Sequence, residues 1–387
     1  MKRPLIRILP VLFVAPLCAQ KVELKAASQE KPQQFHITTK FQTTDARKML
    51  INGEEPGAGG GRGGFGGGGG ESSLSQAIEF VEGPGGAWRE YSKLSATESR
   101  PGQDGETRET AVQGALQGKK VFVKKAADGS VTLTEGEGEK AEPVDAALSR
   151  GVPATVSFAG FVPGKAVAPG ESFDLPGFSD SLRGLLHPVT PERTQGGRGG
   201  RGQGGQGGQG GEGGQGGRGQ GGAQGGRGAR GGRFGMGAGS TVVDLIGAGK
   251  LNVDAKGKLI GVEEKDGHQI ASIEVTAKLA GKGKSADFGL QAGMGGFGRG
   301  GRGGQGGGQA ADNGTDNVDA GFEIKGKVTF DVAEQRVVGV DLAGNVKIDR
   351  ETKRTMQDRN GEDQTMESTT NTKGKFEVQA SSGPAAK

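Results

Sequence analysis

Cysteine occurs once in the 387 residues, at Cys18, tryptophan and tyrosine once each, and histidine three times. Beyond Cys18 the chain can form no disulfide, no thiolate metal site and no thiol nucleophile, so it must be held together by packing. Fifteen prolines, with glycines that do not recur every third residue, exclude a collagen helix. Long apolar runs are also missing. After the first twenty residues no segment has the roughly 20 apolar residues that a membrane-spanning helix needs.

Residues 1–19 read as a cleaved export signal. Lys2, Arg3 and Arg7 precede an apolar run from Ile8 through Leu17 to Cys18 and Ala19, and cleavage is expected after Ala19. Lipid anchoring at Cys18 is not expected, because Leu17 stands where a lipidation motif needs a small residue. Pro10 and Pro16 interrupt the run and argue against a signal anchor. The expected location is the periplasm or the cell exterior.

Glycine is what the chain has in excess, with 81 residues. Three tracts, 57–70, 195–239 and 292–308, hold 48 of them in 76 positions, and the other 311 residues carry only 33. That remainder is long enough to bury a core, so we expect a folded protein carrying disordered low-complexity inserts. Charge divides the same way. Of the net +4, the signal contributes +3. The tracts sum to +8 and the rest of the mature chain to −7. Cationic tracts on a mildly acidic body are expected, which the overall charge conceals.

Strict alternation predicts strands. In 320–348, Phe322, Ile324, Val328, Phe330 and Val332 share one face. After a turn at Ala333 to Gln335, so do Val338, Val340, Leu342, Val346 and Ile348. In 257–280 a turn at Asp266-Gly267 precedes Ala271, Ile273, Val275, Ala277 and Leu279, again on one face. Gly118-Lys-Lys-Val-Phe-Val, Gly257-Lys-Leu-Ile-Gly-Val and Gly326-Lys-Val-Thr-Phe-Asp-Val each open a hairpin. They read as a repeated β-meander or as shared turn chemistry. The last strand pair, 346–357 and 364–379, turns at Asn360-Gly361 and reads as a charge-guarded edge with Met356, Met366, Phe376 and Val378 as anchors. Thr241 to Ile246 reads as a strand. Short helices are expected at Ser179 to His187 and Val144 to Arg150. Phe35 to Phe41 is expected to be a strand, while Asp45 to Ile51 fits either helix or strand.

The expected fold is therefore mainly β: an antiparallel meander forming a curved sheet or half-barrel, with minor helices and glycine-rich loop insertions. Its segments are 20–56 as part of the β body, 57–70 as a glycine-rich stretch, 71–194 as a first β portion and 195–239 as an insertion. A second β portion at 240–291, an insertion at 292–319 and C-terminal hairpins at 320–387 complete the chain. The long tracts suit surface loops, since loop closure grows only logarithmically in cost; a 45-residue glycine-rich coil spans roughly 35–40 Å. Linkers between independent domains are the alternative.

No motif of catalysis emerges. Gly283-Lys284-Ser285 lacks the earlier glycine of a phosphate loop, and the dinucleotide match at Gly293, Gly295 and Gly298 is expected by chance in so glycine-rich a stretch. His36, His187 and His268 have no spaced partners. Glu135, Glu137 and Glu139 fit a solvated tip. Asp312, Asp316 and Asp319 lack the order of a calcium loop. No metal or cofactor is expected, and no enzyme activity. Trp88, in Ala-Trp-Arg-Glu-Tyr-Ser with Tyr91, is expected to turn into the core.

The Arg-Gly-Gly elements at 62, 198, 230, 299 and 302, with Phe65, Phe234 and Phe297 nearby, carry the chemistry of single-strand nucleic-acid binders. Sparse aromatics and an export signal rank that partner last, behind a solvated spacer and behind anionic envelope polymers or lipid head groups. The candidate polyanion contacts are Arg198, Arg201, Arg218, Arg227, Arg230, Arg233, Arg299 and Arg302.

Lys165-Ala-Val-Ala-Pro-Gly-Glu-Ser-Phe-Asp-Leu-Pro, with Asp266-Gly-His-Gln-Ile-Ala-Ser-Ile-Glu-Val and Val338-Gly-Val-Asp-Leu-Ala-Gly, resembles a group of exported bacterial β-proteins of unknown function. These are similar in outline to half-barrel lipoprotein carriers of the envelope. Over about half the chain, the resemblance implies a curved sheet that holds a lipid and no catalytic residue. The function expected is a non-enzymatic exported protein binding a lipid-like or other apolar ligand, with Phe322, Ile324, Phe330, Val340 and Leu342 as candidate lining. Alternation does not separate a core from a cavity at these five. A structural or adhesive envelope protein acting through its Arg-Gly tracts is the alternative.

Overall fold

A computed structural model describes residues 21–55, 70–101, 106–126, 131–138, 141–149, 152–186, 189–190, 238–288, 290, 314–357 and 362–385. The chain is mainly β, with a curved antiparallel sheet that does not close on itself. Among the described residues five strands of 17 to 22 residues dominate it: β2 (Gln33–Ile51), β12 (His268–Lys284), β13 (Thr315–Asp331), β14 (Arg336–Gln357) and β15 (Asp363–Pro384). The shorter strands are β1 (Val22–Leu24), β3 (Gly70–Glu82), β4 (Trp88–Pro101), β5 (Thr107–Gln113), β6 (Lys120–Lys125), β7 (Val131–Glu135), β8 (Glu142–Pro143), β9 (Lys165–Val167), β10 (Ser172–Asp174) and β11 (Asn252–Lys265).

Thirteen strands form one sheet in the order β10-β11-β12-β13-β14-β15-β2-β3-β4-β6-β7-β8, with β5 on the far half of β4; β1 and β9 make a separate pair. Sequence neighbours are mostly sheet neighbours, as in a meander. The exception lies at the centre, where the C-terminal β15 pairs with β2, from Met366 opposite Ile51 to Pro384 opposite Gln33. The pair 346–357 and 364–379 is therefore interior to the sheet and not the edge expected from its charge. Phe376, Val378 and Ala380 face inward beside Phe41, Thr39 and Ile37, and that shared apolar row draws β2 onto it. Asp45 to Ile51 continues β2 as strand.

Of the expected hairpins, β11–β12 turns at Asp266 (φ 52°) and Gly267 (φ 80°), left-handed positions that Asp and Gly tolerate. Ala271, Ile273, Val275, Ala277 and Leu279 are all buried. On β14, Val337 is buried in place of Val338, because a bulge leaves Val338 unpaired between Gly339 and Val337. Val332 is only half-buried. Among the repeat glycines, Gly118 sits in a turn at φ 74°, whereas Gly257 and Gly326 lie inside β11 and β13. The turn expected at Asn360-Gly361 lies outside the described residues.

Among the described residues three α-helices accompany the sheet: α1 (Ala146–Ser149), α2 (Phe178–Leu185) and α3 (Ala238–Gly247). Residues 241–246, expected as a strand, belong to α3. Its buried residues Val242, Val243, Leu245 and Ile246 follow helical spacing, so packing on both sides overrides their β propensity. Helix α3 packs against β2, β3 and α2, and α2 against β11. Together with 152–162 these elements cover the inner face, and one apolar cluster runs through sheet and cover.

The strands approach closely at Gly326, where an added Cβ would stand 2.0 Å from the Asp341 carbonyl oxygen; at Gly321 nothing lies within 4 Å. Gly326→Ala is expected to cost about 2–4 kcal/mol and Gly321→Ala less than about 0.5 kcal/mol, measured by urea denaturation.

Candidate functional site

The inner face changes character along the strands. At one end, cross-strand rows such as Val328, Val340, Ala380, Ile37, Ile78 and Leu94 are wholly apolar. Toward the other end, the same face carries buried Thr39, Thr43, Gln76, Ser368 and Thr372. These satisfy one another: the Thr39 hydroxyl donates to Gln76 Oε1 (3.0 Å), the Thr43 and Ser72 hydroxyls lie 2.9 Å apart, and Thr372 donates to Asp45 (2.6 Å). Arg47 Nε reaches Ser368 Oγ at 3.3 Å. Arg100 pairs with Glu98. In this band Asp316 accepts from Arg350 Nε (2.8 Å) and Nη2 (2.6 Å), and from Ser285. Partial burial works against the Asp316 charge, but these donors outweigh it and hold the carboxyl below its usual range.

The five residues expected to line a ligand face, Phe322, Ile324, Phe330, Val340 and Leu342, are all on the inner face of β13 and β14 and at most 3% exposed. The eight arginines expected to contact polyanions lie outside the described residues. So do His187, Glu139 and Asp312. His36 stands 3.6 Å from Glu79, and His268 Nδ1 is 2.9 Å from buried Asp331. Asp319 faces Lys282 at 3.5 Å, and Asp316 is taken by Arg350. No group of three metal-ligating side chains gathers among the described residues.

At the apolar end lies a cluster that the sequence reading missed. Glu82 closes β3 and Arg89 opens β4, across the turn at 83–87, and both are fully buried with Tyr91. Arg89 Nε donates to Glu82 Oε1 at 2.7 Å; Nη2 stands 2.7 Å from the same oxygen but out of line, and Nη1 has no acceptor. The Glu82 carboxylate also accepts the Val156 N–H, at 3.2 and 3.3 Å, and so ties the cover to the sheet. Burial pushes Glu82 above its ordinary range against the opposing pull of Arg89, and burial likewise raises Tyr91. Rings surround the cluster. Phe80 stacks on Phe35 (5.0 Å), Phe35 meets Phe158 of the cover edge-on (5.3 Å), and Phe161 meets Phe178 of α2 (5.5 Å).

Trp88 is not turned into the core. A bulge at Ser92, left unpaired between Lys93 opposite Glu79 and Tyr91 opposite Phe80, reverses the alternation, so Arg89 and Tyr91 point inward and Trp88 outward. Lys120 Nζ lies 4.1 Å from the Trp88 ring centroid, at a groove of about 350 Å³ that Phe122, Lys124 and Glu137 also line.

No family model matches the chain, and no curated protein matches it. Among solved structures, Pseudomonas aeruginosa OpdQ aligns over 92% of this chain and 98% of its own, at 8% identity and a TM-score of 0.15. Pseudomonas aeruginosa OccK7 (OpdD) aligns over 92% and 99%, at 7% identity and a TM-score of 0.17. Scores this low carry no argument about this chain.

The Asp316 geometry has a pH signature. A depressed carboxyl contributes stability above its ordinary value of 3.8, and that contribution is lost as pH falls through the lower folded value. Asp316→Asn is expected to cost about 1–2 kcal/mol at pH 7, and the gap to the unaltered protein should narrow as pH falls below 3.8, read by chemical denaturation across pH.

Proposed function

We propose that this is an exported, non-enzymatic β-protein that holds an apolar, lipid-like ligand of the cell envelope against the inner face of its sheet. One observation carries the reading. The apolar inner face of an open sheet is covered by two short helices and a loop, rather than by closure of the sheet or by a second sheet. Such a cover is small next to the face it protects, and its removal would leave an apolar trough. Cover elements come from the middle of the chain, 152–162, 178–185 and 238–247, while the trough is built largely by strands on both sides of them in sequence. Cover and trough are thus separately anchored.

The signal-like residues 1–19 and the resemblance of the Lys165 and Val338 motifs to exported half-barrel carriers support the same reading.

Native mass spectrometry of the mature protein, purified gently from its own cell envelope, tests this. Excess mass in the lipid range, lost on denaturation, is expected. A bare mass from a preparation with full recovery would overturn the reading and move the function to the Arg-Gly tracts as contacts for anionic envelope polymers.

A further inference from the structure

The groove beside Trp88 lies on the outer face of the sheet, and its floor is aromatic. Trp88 of β4 and Phe122 of β6 are direct cross-strand partners, both half-buried. The indole is held in place by what it packs on. A Cβ at Gly83 would stand 2.3 Å from Trp88 Nε1, so any other residue there would displace the ring. Thr134 is the partner of Phe122 on β7, and its hydroxyl donates to Gly136 O at 3.3 Å, which sets the turn at 136–138 beside the rings. Gly136 (φ 87°) and Gly138 (φ 80°) take left-handed conformations in that turn. Having no side chains, they line the groove with main-chain atoms alone.

Charge completes the groove. Lys120 and Lys124 flank Phe122 on the same face of β6, both exposed and both lining the groove. Neither has an ion-pair partner among the described residues, whereas adjacent Lys119 pairs with Glu135 at 2.7 Å. Glu90 is the register partner of Lys120, yet the Lys120 ammonium turns onto the rings, 4.1 Å from the Trp88 centroid and 5.8 Å from that of Phe122. At ~3.3 Å per residue the two lysines leave the strand about 13 Å apart. The volume of about 350 Å³ is at the small end for a ligand site. A nucleic-acid strand carries a charge on every nucleotide, and Glu90 and Glu137 would stand against it. A hydroxylated ring bearing an isolated acid suits every wall. Its C–H face packs on the indole, its hydroxyls donate to Glu137, and its carboxylate meets an ammonium already held over the rings. We propose that the Trp88–Phe122 groove binds an acidic polysaccharide in which uncharged rings separate the carboxylates. The site is on the opposite face of the sheet from the lipid trough, and neither reading depends on the other.

The test titrates the full-length mature protein with a hyaluronan hexasaccharide, whose carboxylates fall on alternate rings, with neutral N-acetylchitohexaose of the same length, and with a thymidylate octamer. The readout is the emission of Trp88, the single tryptophan, which does not report on ligand held by the Arg-Gly tracts. The hyaluronan hexasaccharide is expected to shift that emission and to bind about tenfold more tightly than the neutral sugar. The advantage should shrink as salt rises from about 50 to about 500 mM. Lys120→Gln combined with Lys124→Gln, two exposed positions whose change leaves the packing intact, should bring the two sugars to the same affinity. An unmoved Trp88 emission, equal affinities in the unaltered protein, or an advantage that survives in the double variant would each overturn the proposal. Tighter binding of the octamer than of the hexasaccharide at Trp88 would overturn it too and give the groove to single-stranded nucleic acid.

Discussion

The pairing of β2 with β15 is the constraint on which the rest of the sheet depends. It runs the full length of β2 and joins the two ends of the chain at the centre of the sheet. Two meanders, β2 to β8 and β10 to β15, would otherwise each expose a long strand edge. Once joined, they present one inner face, on which Phe41 stacks against Phe376 across the seam at 6.1 Å. Helix α3 then rests on β2 and β3, and α2 on β11, so the cover spans both meanders. The seam brings together residues more than three hundred apart in sequence. Its loop entropy is recovered only when the whole face is buried, which makes the sheet and its cover one cooperative structure.

Alternation made the strands legible and, in two places, misled about their faces. Val338 and Ser92 are each the extra residue of a bulge, and each reverses the inward set on one side of itself. Counting back from Leu94 by twos reaches Trp88; the bulge at Ser92 puts Arg89 and Tyr91 there instead. A third bulge leaves Ile260 unpaired and 54% exposed. All three fall within a residue of one cross-strand row, from Gly261 through Ser272, Thr329, Gly339, Ser381 and His36 to Glu79. Bulges sharpen twist and bend a strand, so a line of them works as a crease in the sheet. A crease belongs to the tertiary structure, and no residue type announces it. Other failures were readable. Val242, Val243, Leu245 and Ile246 already have helical spacing, and only their β-branching suggested a strand.

The inner face was legible only in its apolar part. Phe322, Ile324, Phe330, Val340 and Leu342 follow from period-two patterning, and they are buried as that pattern requires. The polar groups of the inner face do not follow from it. Glu82 and Arg89 look in sequence like ordinary surface charges flanking a glycine turn. They become a buried pair because the Ser92 bulge turns Arg89 inward and the cover closes over it. Replacing such a pair with apolar residues often leaves stability unchanged or raises it, so the packing of the sheet does not itself demand the pair.

The two ends of the sheet also differ in what their connections can tolerate. At the crease end the turns are tight, at Gly83 to Ala87, Asp266-Gly267 and Val332 to Gln335, and they are stitched to the cover and to the N-terminal segment. Gly85 N–H donates to Gln29 O at 3.1 Å, Ala27 N–H to Gln335 O at 2.8 Å, and Thr155 Oγ1 to Gly85 O at 3.3 Å. At the opposite end β2 stops at Ile51, β3 starts at Gly70, β12 stops at Lys284 and β13 starts at Thr315, so two glycine tracts are spliced in there. A long insertion between paired strands costs little when its ends are free of other contacts, and much when the connection also carries contacts of its own. The Glu82–Arg89 cluster sits at the end where the connections are short and hydrogen-bonded, so its geometry is fixed by the turns around it.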